Sequence, residues 1–368
     1  MNIALVITNL RGGGAEGATL RLARALAGRG HRVHVILLEH RVEHEVPGRV
    51  EVHALTAPGS ALGNGLIGRL LGAFRLRRLY RRLGLGPECL TVSTLPYTDR
   101  VVMAARLRNA WFRIANTLSA EVQALQSPRK RARRLTRYRR LYEGRNLIAV
   151  SDGVADDLRR NLGLRDARIV RIYNGFNLDA IRAAATRADP EVPLEPFVLH
   201  VGRFMPQKRH DLLLDAWRRT SLAHRLVLLT EPSPELDALI AARGLQGRVF
   251  VAGFRSNPYP WMRACDLLVL SSDREGMPNV LVEALACGTR VVSTDCPSGP
   301  REVLRGDLAR WLVPCRDPQA LANAITAALD STRPGADAVP DEFTEARMVA
   351  AYEALAEEVG PRSRASGG

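Results

Sequence analysis

The sequence of 368 residues has few cysteines and no long hydrophobic run, and each absence excludes a class of protein. Its five cysteines are irregularly spaced and form no CxxC pair, which argues against a disulfide framework and a cysteine zinc site. No stretch has the roughly 18 uninterrupted apolar residues that a membrane-spanning helix needs. The N-terminus is apolar but has no basic segment ahead of it, so it predicts a first β-strand and not a signal peptide. We therefore expect a cytoplasmic protein.

Acidic residues are also few relative to basic ones: 38 Asp and Glu oppose 53 Lys and Arg, for a net charge of +15. This excess predicts an anionic partner, which charge alone does not identify as nucleic acid, a membrane surface or a phosphorylated substrate. Two basic amphipathic stretches lie at residues 66–83 and 128–145. They fit either solvated helix faces or helices that bind anionic lipid headgroups, at about 1 kcal/mol per basic residue. No RNA-binding signature accompanies them, so we expect no nucleic-acid partner.

Strand-like and helix-like patterns alternate along the chain in two series. Most of the strand patterns are continuous apolar runs, which indicate strands covered on both faces in parallel α/β sheets. The series predict two doubly wound domains, residues 1–182 and 183–340. Residues 183–196 contain three prolines and fit a linker. We expect residues 341–368 to form a C-terminal helix that packs back on the N-terminal domain, followed by a frayed tail.

A glycine cluster, Gly12–Gly17, fits the pattern G-x-G-x-x-G between a predicted strand and a predicted helix. Glu39 ends the next strand, at the place where a dinucleotide-binding fold has its ribose-binding acid. One hypothesis is therefore an NAD(P)-dependent oxidoreductase. The loop itself indicates only that backbone can approach a ligand closely and that helix N-terminal amides favour an anion.

The second half of the chain carries a more specific pattern in residues 271–295. A buried strand ends in a turn that contains Gly276, and Pro278 opens the next helix. Glu275 and Glu283 are eight residues apart, so both can face one ligand. Carboxylates accept hydrogen bonds from sugar hydroxyls, and the amides of the intervening helix N-terminus suit a phosphate. A second glycine turn, Pro297–Glu302, follows the next strand.

These residues resemble the retaining nucleotide-sugar glycosyltransferases of family GT4, which have the GT-B fold. Glu275 and Glu283 match the family's E-x7-E motif, and Val201–Arg209 is similar to its GR…QK segment. Gly12–Glu16 resembles its N-terminal glycine loop, and Asn174–Phe176 the turn before its interdomain linker. The resemblance covers essentially the whole chain and implies two Rossmann-like domains that face each other across a cleft.

The resemblance also implies roles for individual residues. Arg203 and Lys208 would neutralise the donor diphosphate, Glu283 would bind the donor ribose, and Glu275 would hold hydroxyls of the transferred sugar. We class Arg203, Lys208 and Glu275 as catalytic. The remaining predicted donor contacts are Gly13, Gly14, Gly276, Met277, Pro278 and Asn279, and the predicted acceptor or sugar contacts are Asn116 and Glu16.

Two further absences bear on the implied chemistry. No Asp-x-Asp occurs, so the sequence has no evident carboxylate pair for a metal that bridges the diphosphate, and we predict no metal and no cofactor. Two cations and helix N-termini would stabilise the diphosphate instead. The family's front-face retaining mechanism fits, because the leaving phosphate itself takes the acceptor proton. Many relatives have a histidine in an N-domain loop near the sugar, but no histidine lies between residues 54 and 199 here. Asn116, in the loop Arg113–Ser119, is the predicted substitute.

The resemblance predicts transfer of a hexose or N-acetylhexosamine from a nucleotide diphosphate, with UDP as the expected nucleotide. Residues 295–302 resemble bacterial surface-polysaccharide transferases, including N-acetylgalactosamine and galactose transferases, which points to the donor sugar. The basic N-domain helices favour a lipid-linked or lipopolysaccharide-core acceptor, because an acceptor held in an anionic membrane needs an enzyme that reaches it. The basic N-domain helices would bind the anionic inner face of the plasma membrane, so we expect a peripheral location there. Two alternatives stay open: the oxidoreductase, and a nonenzymatic basic protein that binds membrane or RNA.

Overall fold

The computed structural model describes residues 1–11, 13–43, 46, 48–63, 65–335 and 338–359. The chain divides into two compact units, each built around one parallel β-sheet. Unit 1 comprises residues 1–175 and the helix that begins at Glu345, and unit 2 comprises Phe176–Thr344. Among the described residues, no helix is both long and apolar enough to cross a membrane. The predicted α/β class with two parallel sheets is confirmed.

Unit 1 holds a seven-stranded sheet in the order β3-β2-β1-β4-β5-β6-β7. Apolar runs such as Ile3–Ile7 are buried along their whole length, as expected for a sheet with helices on both faces. The strands are β1 (Asn2–Ile7), β2 (Arg32–Leu37), β3 (Val50–Ala54), β4 (Leu90–Thr94), β5 (Ala110–Ile114), β6 (Asn146–Ala149) and β7 (Arg168–Arg171).

Most helices of unit 1 begin where the sequence supplies a capping serine or a glycine. At the start of the most basic helix, the Ser127 hydroxyl accepts a hydrogen bond from the backbone N–H of Lys130, and Pro128 takes the first helical position. The helices between the strands are α1 (Gly14–Gly28), α2 (Leu66–Arg82), α3 (Pro96–Ala104), α4 (Leu118–Gln123), α5 (Pro128–Tyr142) and α6 (Asp152–Asp156).

Unit 2 holds a six-stranded parallel sheet in the order β10-β9-β8-β11-β12-β13. Its strands are β8 (Phe197–Val201), β9 (Arg225–Leu229), β10 (Val249–Val251), β11 (Leu267–Leu270), β12 (Arg290–Thr294) and β13 (Leu312–Val313). Its helices are α7 (Leu178–Ala185), α8 (His210–Trp217), α9 (Pro234–Ala241), α10 (Tyr259–Ala264), α11 (Asn279–Ala286), α12 (Pro300–Val303) and α13 (Pro318–Leu329).

The division between the units lies at Gly175–Phe176, ahead of the predicted boundary at residue 182. Helix α7 packs on α10 and α11 and so belongs to unit 2. The segment predicted to be a linker is also bound to this unit, because the indole N–H of Trp261 donates to Asp189 at 2.8 Å. Arg255 forms an ion pair with Glu191 in the same segment. A proline-rich composition indicated irregular backbone, but side chains of unit 2 hold that backbone in place.

The last described helix, α14 (Glu345–Val359), belongs to unit 1 although it follows unit 2 in the chain. Met348, Tyr352 and Leu355 are buried in the core that α1 and the central strands share. The backbone N–H of Gly175 lies 3.1 Å from Sδ of Met348, which ties the end of the first unit 1 segment to this helix. Residues 360–368, where the tail was predicted, lie outside the described residues.

Candidate active site

The strand order of unit 2 reverses between β8 and β11, which are neighbours in the sheet although β9 and β10 separate them in the chain. In open parallel sheets, ligands bind beyond the carboxyl ends of the strands at such a switch point. The loop after β8 contains Arg203 and Lys208, and the loop after β11 contains Glu275. The topology thus brings together, at one sheet edge, the loops that the sequence pattern singled out.

Lys208 and Glu275 are in direct contact at this edge. The Lys208 ammonium donates to Oε1 of Glu275 at 2.7 Å, and the Ser272 hydroxyl donates to the same oxygen at 2.6 Å. The Glu275 side chain is 8% exposed and the Lys208 side chain 21% exposed. The ammonium has three donors, so one can stay on Glu275 while another binds a ligand oxygen. Arg203, on the same loop, is exposed and has no ion-pair partner within the described part of the chain.

A third cation, Arg209, holds the two loops together and was not predicted from the sequence. Its Nη1 lies 2.9 and 3.0 Å from the two carboxylate oxygens of Asp273, and its Nε lies 2.9 Å from Asp211. These hydrogen bonds, first to Asp211 and then to Asp273, raise the pKa of Arg209. Arg209 has a left-handed backbone conformation (φ 53°), which is uncommon for residues other than glycine. The neighbouring Gln207 adds a bond from its amide to the carbonyl oxygen of Arg274 at 2.8 Å.

The remaining predicted donor contacts form a buried turn at the start of α11. Gly276, Met277 and Pro278 are buried, and Asn279 is the first residue of the helix. This turn packs on Gly299, whose φ of +94° is in the region that favours glycine. A Cβ on Gly299 would lie 2.3 Å from Cδ of Pro278, so no larger residue fits without displacing the turn.

Glu283 lies one turn into α11 and is buried, like Glu275 on the preceding loop. Both carboxylates of the E-x7-E pattern are therefore buried at the switch-point end of unit 2. Buried acidic side chains are rare unless they are paired or hydrogen-bonded, and such groups concentrate at functional sites. The charge of Glu283 contributes to raising the pKa of Cys287, after the larger effect of burial.

Two histidines lie behind the Lys208 loop and serve as packing residues. His200 is fully buried and its Nδ1 lies 2.9 Å from the carbonyl oxygen of Val269. Its ring meets that of His210 edge to face, with centroids 4.7 Å apart. Burial lowers the pKa of His210 to about 4, and the positive charge of Lys208 adds to this effect. A neutral histidine pair thus supports the loop from its buried side.

Unit 1 has its own switch point, between β1 and β4. Gly13 lies at the end of the connection from β1 to α1, and Gly14 is the first residue of α1. Glu16 is half-buried in the first turn of that helix. Gly12, the first residue of the predicted glycine loop, lies outside the described residues. Glu39, the acid of the oxidoreductase hypothesis, follows β2, and its carboxylate lies 4.0 Å from Nε of Arg41.

Asn116 lies two residues beyond the end of β5, and its side chain forms hydrogen bonds near its own loop. Its amide nitrogen donates to Oε1 of Glu121 at 2.9 Å, and its amide oxygen accepts from the backbone N–H of Thr117 at 3.0 Å. The hydroxyl of Tyr138 donates to the other oxygen of Glu121 at 2.8 Å. These bonds hold the Asn116 amide in one orientation, and its contact with a sugar stays a prediction.

Helix α2 turns its small residues inward and its large apolar residues outward. A Cβ on Gly68 would lie 1.9 Å from the carbonyl oxygen of Leu62, and one on Gly72 would lie 3.1 Å from Cγ1 of Val101. We call the outward side chains the α2 apolar row: Leu66 (61% exposed), Ile67 (82%), Leu70 (55%), Leu71 (40%) and Phe74 (56%). A contiguous exposed apolar surface on a folded protein indicates contact with a membrane or a partner.

A cavity of about 390 Å³ lies between α2, α3 and α5, and we call it the arginine cavity. Burial lowers the pKa of Arg100, and the nearby positive charge of Arg137 lowers it further. Nε of Arg69 is buried and has no hydrogen-bond partner in the described part of the structure. Guanidinium groups held together in this way attract an anion. The lining residues are Arg69, Arg100, Met103, Arg133, Thr136, Arg137, Arg140 and Leu141.

Two parallel-sheet units, with cations and buried carboxylates at the switch point of the second, fit the GT-B fold of glycosyltransferases. The model of the family described as "Glycosyltransferase Family 4" matches residues 12–180, and that of "Glycosyl transferases group 1" matches residues 195–331. The chain belongs to these glycosyltransferases, as its motifs predicted, and it is an enzyme. The oxidoreductase and nonenzymatic alternatives are therefore set aside.

The chain is 28% identical over 340 residues to the N-acetylgalactosamine-N,N'-diacetylbacillosaminyl-diphospho-undecaprenol 4-alpha-N-acetylgalactosaminyltransferase of Campylobacter jejuni, covering 90% of this chain and 91% of the relative. It is 30% identical over 181 residues to the lipopolysaccharide core biosynthesis glycosyltransferase LpsE of Rhizobium meliloti, covering 49% and 52%. The crystal structure of HepE from Anabaena with UDP and glucose superposes with a TM-score of 0.69 at 21% identity, covering 98% of both chains. This last similarity establishes the fold.

Proposed function

We propose that this enzyme transfers a hexose or N-acetylhexosamine from a UDP-sugar to a lipid-linked or lipopolysaccharide-core saccharide, with retention of configuration. The observation that carries the proposal is the contact between Lys208 and Glu275 at the switch point of unit 2. It places a cation suited to phosphate beside a buried carboxylate suited to sugar hydroxyls. The Anabaena structure with UDP and glucose supports the choice of nucleotide.

In this proposal Arg203 and Lys208 bind the diphosphate and stabilise the charge that develops as it leaves. Charged hydrogen-bond donors fixed before the reaction act on the transition state without the cost of reorientation. Arg209 is a positioning residue, because its bonds to Asp273 hold the loop that carries Lys208. Glu283 binds the donor ribose. The two cations supply the positive charge that a bridging metal would otherwise provide, so we expect activity without added metal.

Retention follows in this proposal from reaction on one face of the donor sugar. The acceptor hydroxyl oxygen forms the new bond to the anomeric carbon while the bond from that carbon to the phosphate oxygen breaks. The hydroxyl proton passes to the leaving phosphate, so the products are the α- or β-glycoside with the configuration of the donor, and UDP. Glu275 orients the transferred sugar through its hydroxyls, and its ion pair with Lys208 links sugar and phosphate recognition.

The acceptor end of the proposal depends on the basic surface of unit 1. The α2 apolar row would insert among the headgroups and acyl chains of a membrane, and the arginine cavity beside it would bind a phosphate of the lipid. Such a helix lies in the plane of the interface, and each basic residue near an anionic leaflet contributes about 1 kcal/mol. The cytoplasmic leaflet is anionic, so we place the enzyme at the inner face of the plasma membrane. The names of the Campylobacter and Rhizobium relatives, with their diphospho-undecaprenol and lipopolysaccharide core acceptors, support this choice.

Donor binding is tested with a panel of UDP-, GDP-, ADP- and dTDP-sugars, measured by calorimetry and by slow donor hydrolysis. We expect one UDP-sugar to bind the wild type, and Lys208→Ala and Glu283→Ala to weaken binding by about 100-fold, equal to about 2.7 kcal/mol. Lys130→Ala, at the only other lysine, and Glu235→Ala, at an exposed glutamate of α9, are matched controls that should bind normally. Equal binding by all variants would place the donor elsewhere.

Membrane binding is tested by flotation with vesicles of phosphatidylglycerol and with neutral vesicles. We expect salt-sensitive binding to the anionic vesicles only, lost in Ile67→Glu and in the charge reversal of Arg131, Arg133 and Arg134. Both variants should keep donor binding and slow donor hydrolysis, because they leave the donor site unchanged. Equal binding of both variants and wild type would refute the membrane role while leaving the transferase role intact.

A further inference from the structure

Strands β2 and β3 bring two histidines and a glutamate together at the edge of the unit 1 sheet. In their parallel register His34 pairs with Glu51 and Ile36 pairs with His53. Successive side chains of a strand alternate between the two faces, so Glu51 and His53 lie on the same face. The ring of His34 lies against both of them. The chain separates His34 from Glu51 by 17 residues, so their proximity depends on strand pairing.

The distances between the three groups match those of ligands on one metal ion. Nδ1 of His34 lies 3.2 Å from Nε2 of His53 and 3.3 Å from Oε2 of Glu51. Nε2 of His53 lies 3.6 Å from the same carboxylate oxygen. Two ligand atoms of a tetrahedral zinc ion with bonds of about 2.0–2.1 Å are roughly 3.3 Å apart. A point about 2 Å from all three atoms therefore exists just outside their plane, at the bond length that zinc requires.

The surroundings of the cluster resemble those of a metal centre in two respects. Nε of Arg32 donates to Oε1 of Glu51 at 2.8 Å, which orients the carboxylate and leaves Oε2 on the side of the two histidines. Groups of this kind, which hold the ligands themselves in place, are a regular part of metal sites. His34 is fully buried, while the side chains of His53 and Glu51 are 16% and 40% exposed. Solvent can thus supply a fourth ligand.

We propose that His34, Glu51 and His53 bind one divalent transition-metal ion of the zinc type, completed by water. Two imidazoles and one carboxylate are a donor set that zinc favours. The ion would fasten β3, a five-residue edge strand, to β2. The site is separate from the proposed transfer reaction, because all three residues lie outside the donor-site loops of unit 2.

The test titrates Co²⁺ and Zn²⁺ into full-length protein freed of metal by a chelator. For the wild type we expect one Co²⁺ per chain, the strong visible absorption of four-coordinate cobalt, and its displacement by Zn²⁺. His53→Gln and Glu51→Gln should each weaken binding by about 100-fold or more, because each removes one of three protein ligands. His40→Gln, at an exposed histidine just after β2, is the matched control and should bind like the wild type.

Thermal unfolding supplies a second readout. Zn²⁺ should raise the Tm of the wild type and of the control but not of His53→Gln, since an ion that binds only the folded state stabilises it. Circular dichroism of each variant without metal establishes that it is folded. Absence of stoichiometric Co²⁺ binding by the wild type, or equal binding by His53→Gln, would show that the cluster is only hydrogen-bonded and would overturn the proposal. Donor binding, measured in the same samples, reports separately on the transfer site.

Discussion

A buried carboxyl in unit 1 makes the stability of this enzyme depend on pH in an unusual direction. Asp99, in α3, is completely buried and accepts hydrogen bonds from the hydroxyls of Ser93 at 2.6 Å and Tyr142 at 2.7 Å. Burial raises the pKa of Asp99 from 3.8 to about 7, although both hydrogen bonds act in the opposite direction. Between about pH 4 and pH 7, the folded protein therefore keeps a proton on Asp99 that the unfolded chain releases.

The size of the effect follows from the difference between the two pKa values. Between pH 3.8 and pH 7 the folded state binds more protons than the unfolded state, so stability falls as the pH rises through this range. The free energy of unfolding falls by about 1.4 kcal/mol for each pH unit, so roughly three units lower it by about 4 kcal/mol in all. Asp99→Asn has no carboxyl to ionise, so the variant should gain this amount relative to wild type between pH 4 and pH 8.

Amide hydrogen exchange, read by mass spectrometry in peptides of β4 and α3, measures the local free energy of opening at each pH. Subtracting the wild-type value from that of Asp99→Asn cancels the contribution of all other titrating groups. Asp179→Asn, at a side chain that is 95% exposed, controls for the loss of one negative charge. A difference between wild type and Asp99→Asn that stays constant from pH 4 to pH 8 would refute the reasoning.

Three further predictions concern glycine packing and a buried histidine. Gly299→Ala should weaken UDP binding by at least about 10-fold in calorimetry, because the new Cβ would lie 2.3 Å from the ring of Pro278, just before α11. The control Gly306→Ala also has a positive φ, but its Cβ would contact nothing within 4 Å, so it should bind UDP normally. Gly68→Ala should lower the free energy of unfolding by about 2 kcal/mol or more, because the new Cβ would lie 1.9 Å from the carbonyl oxygen of Leu62. The control Gly65→Ala should leave stability unchanged, because its Cβ would contact nothing within 4 Å. Burial lowers the pKa of His210 from 6.5 to about 4, so the free energy of unfolding should fall by about 1.4 kcal/mol per pH unit as the pH falls through that range. Urea unfolding of wild type and of His210→Gln, compared at each pH, measures this loss.

Much of the candidate site could be predicted from the sequence because its residues lie on loops at fixed offsets from buried strands. Continuous apolar runs indicated the parallel sheets, and the carboxyl ends of parallel strands meet at one edge. Lys208 and Glu275 follow β8 and β11, which the fold makes neighbours, so these two side chains meet. Arg209 and Asp273 could not be assigned from the sequence, since a charged residue beside a motif gives no sign of its partner.

Tertiary structure alone decided features that depend on contacts between distant segments. Helix α14 follows unit 2 in the chain but completes the core of unit 1, because Met348 and Tyr352 bury their side chains there. Apolar periodicity grouped Ile67, Leu70 and Phe74 on one face of α2, but only packing showed that this face points outward and that Gly68 faces inward. Close contact with a neighbouring backbone excludes any side chain at Gly68. The sequence by itself determined which strands, turns and charged loops form, because those depend on local pattern. The packing of distant segments decided which strands and helices contact each other, and therefore which of their faces remain exposed to solvent.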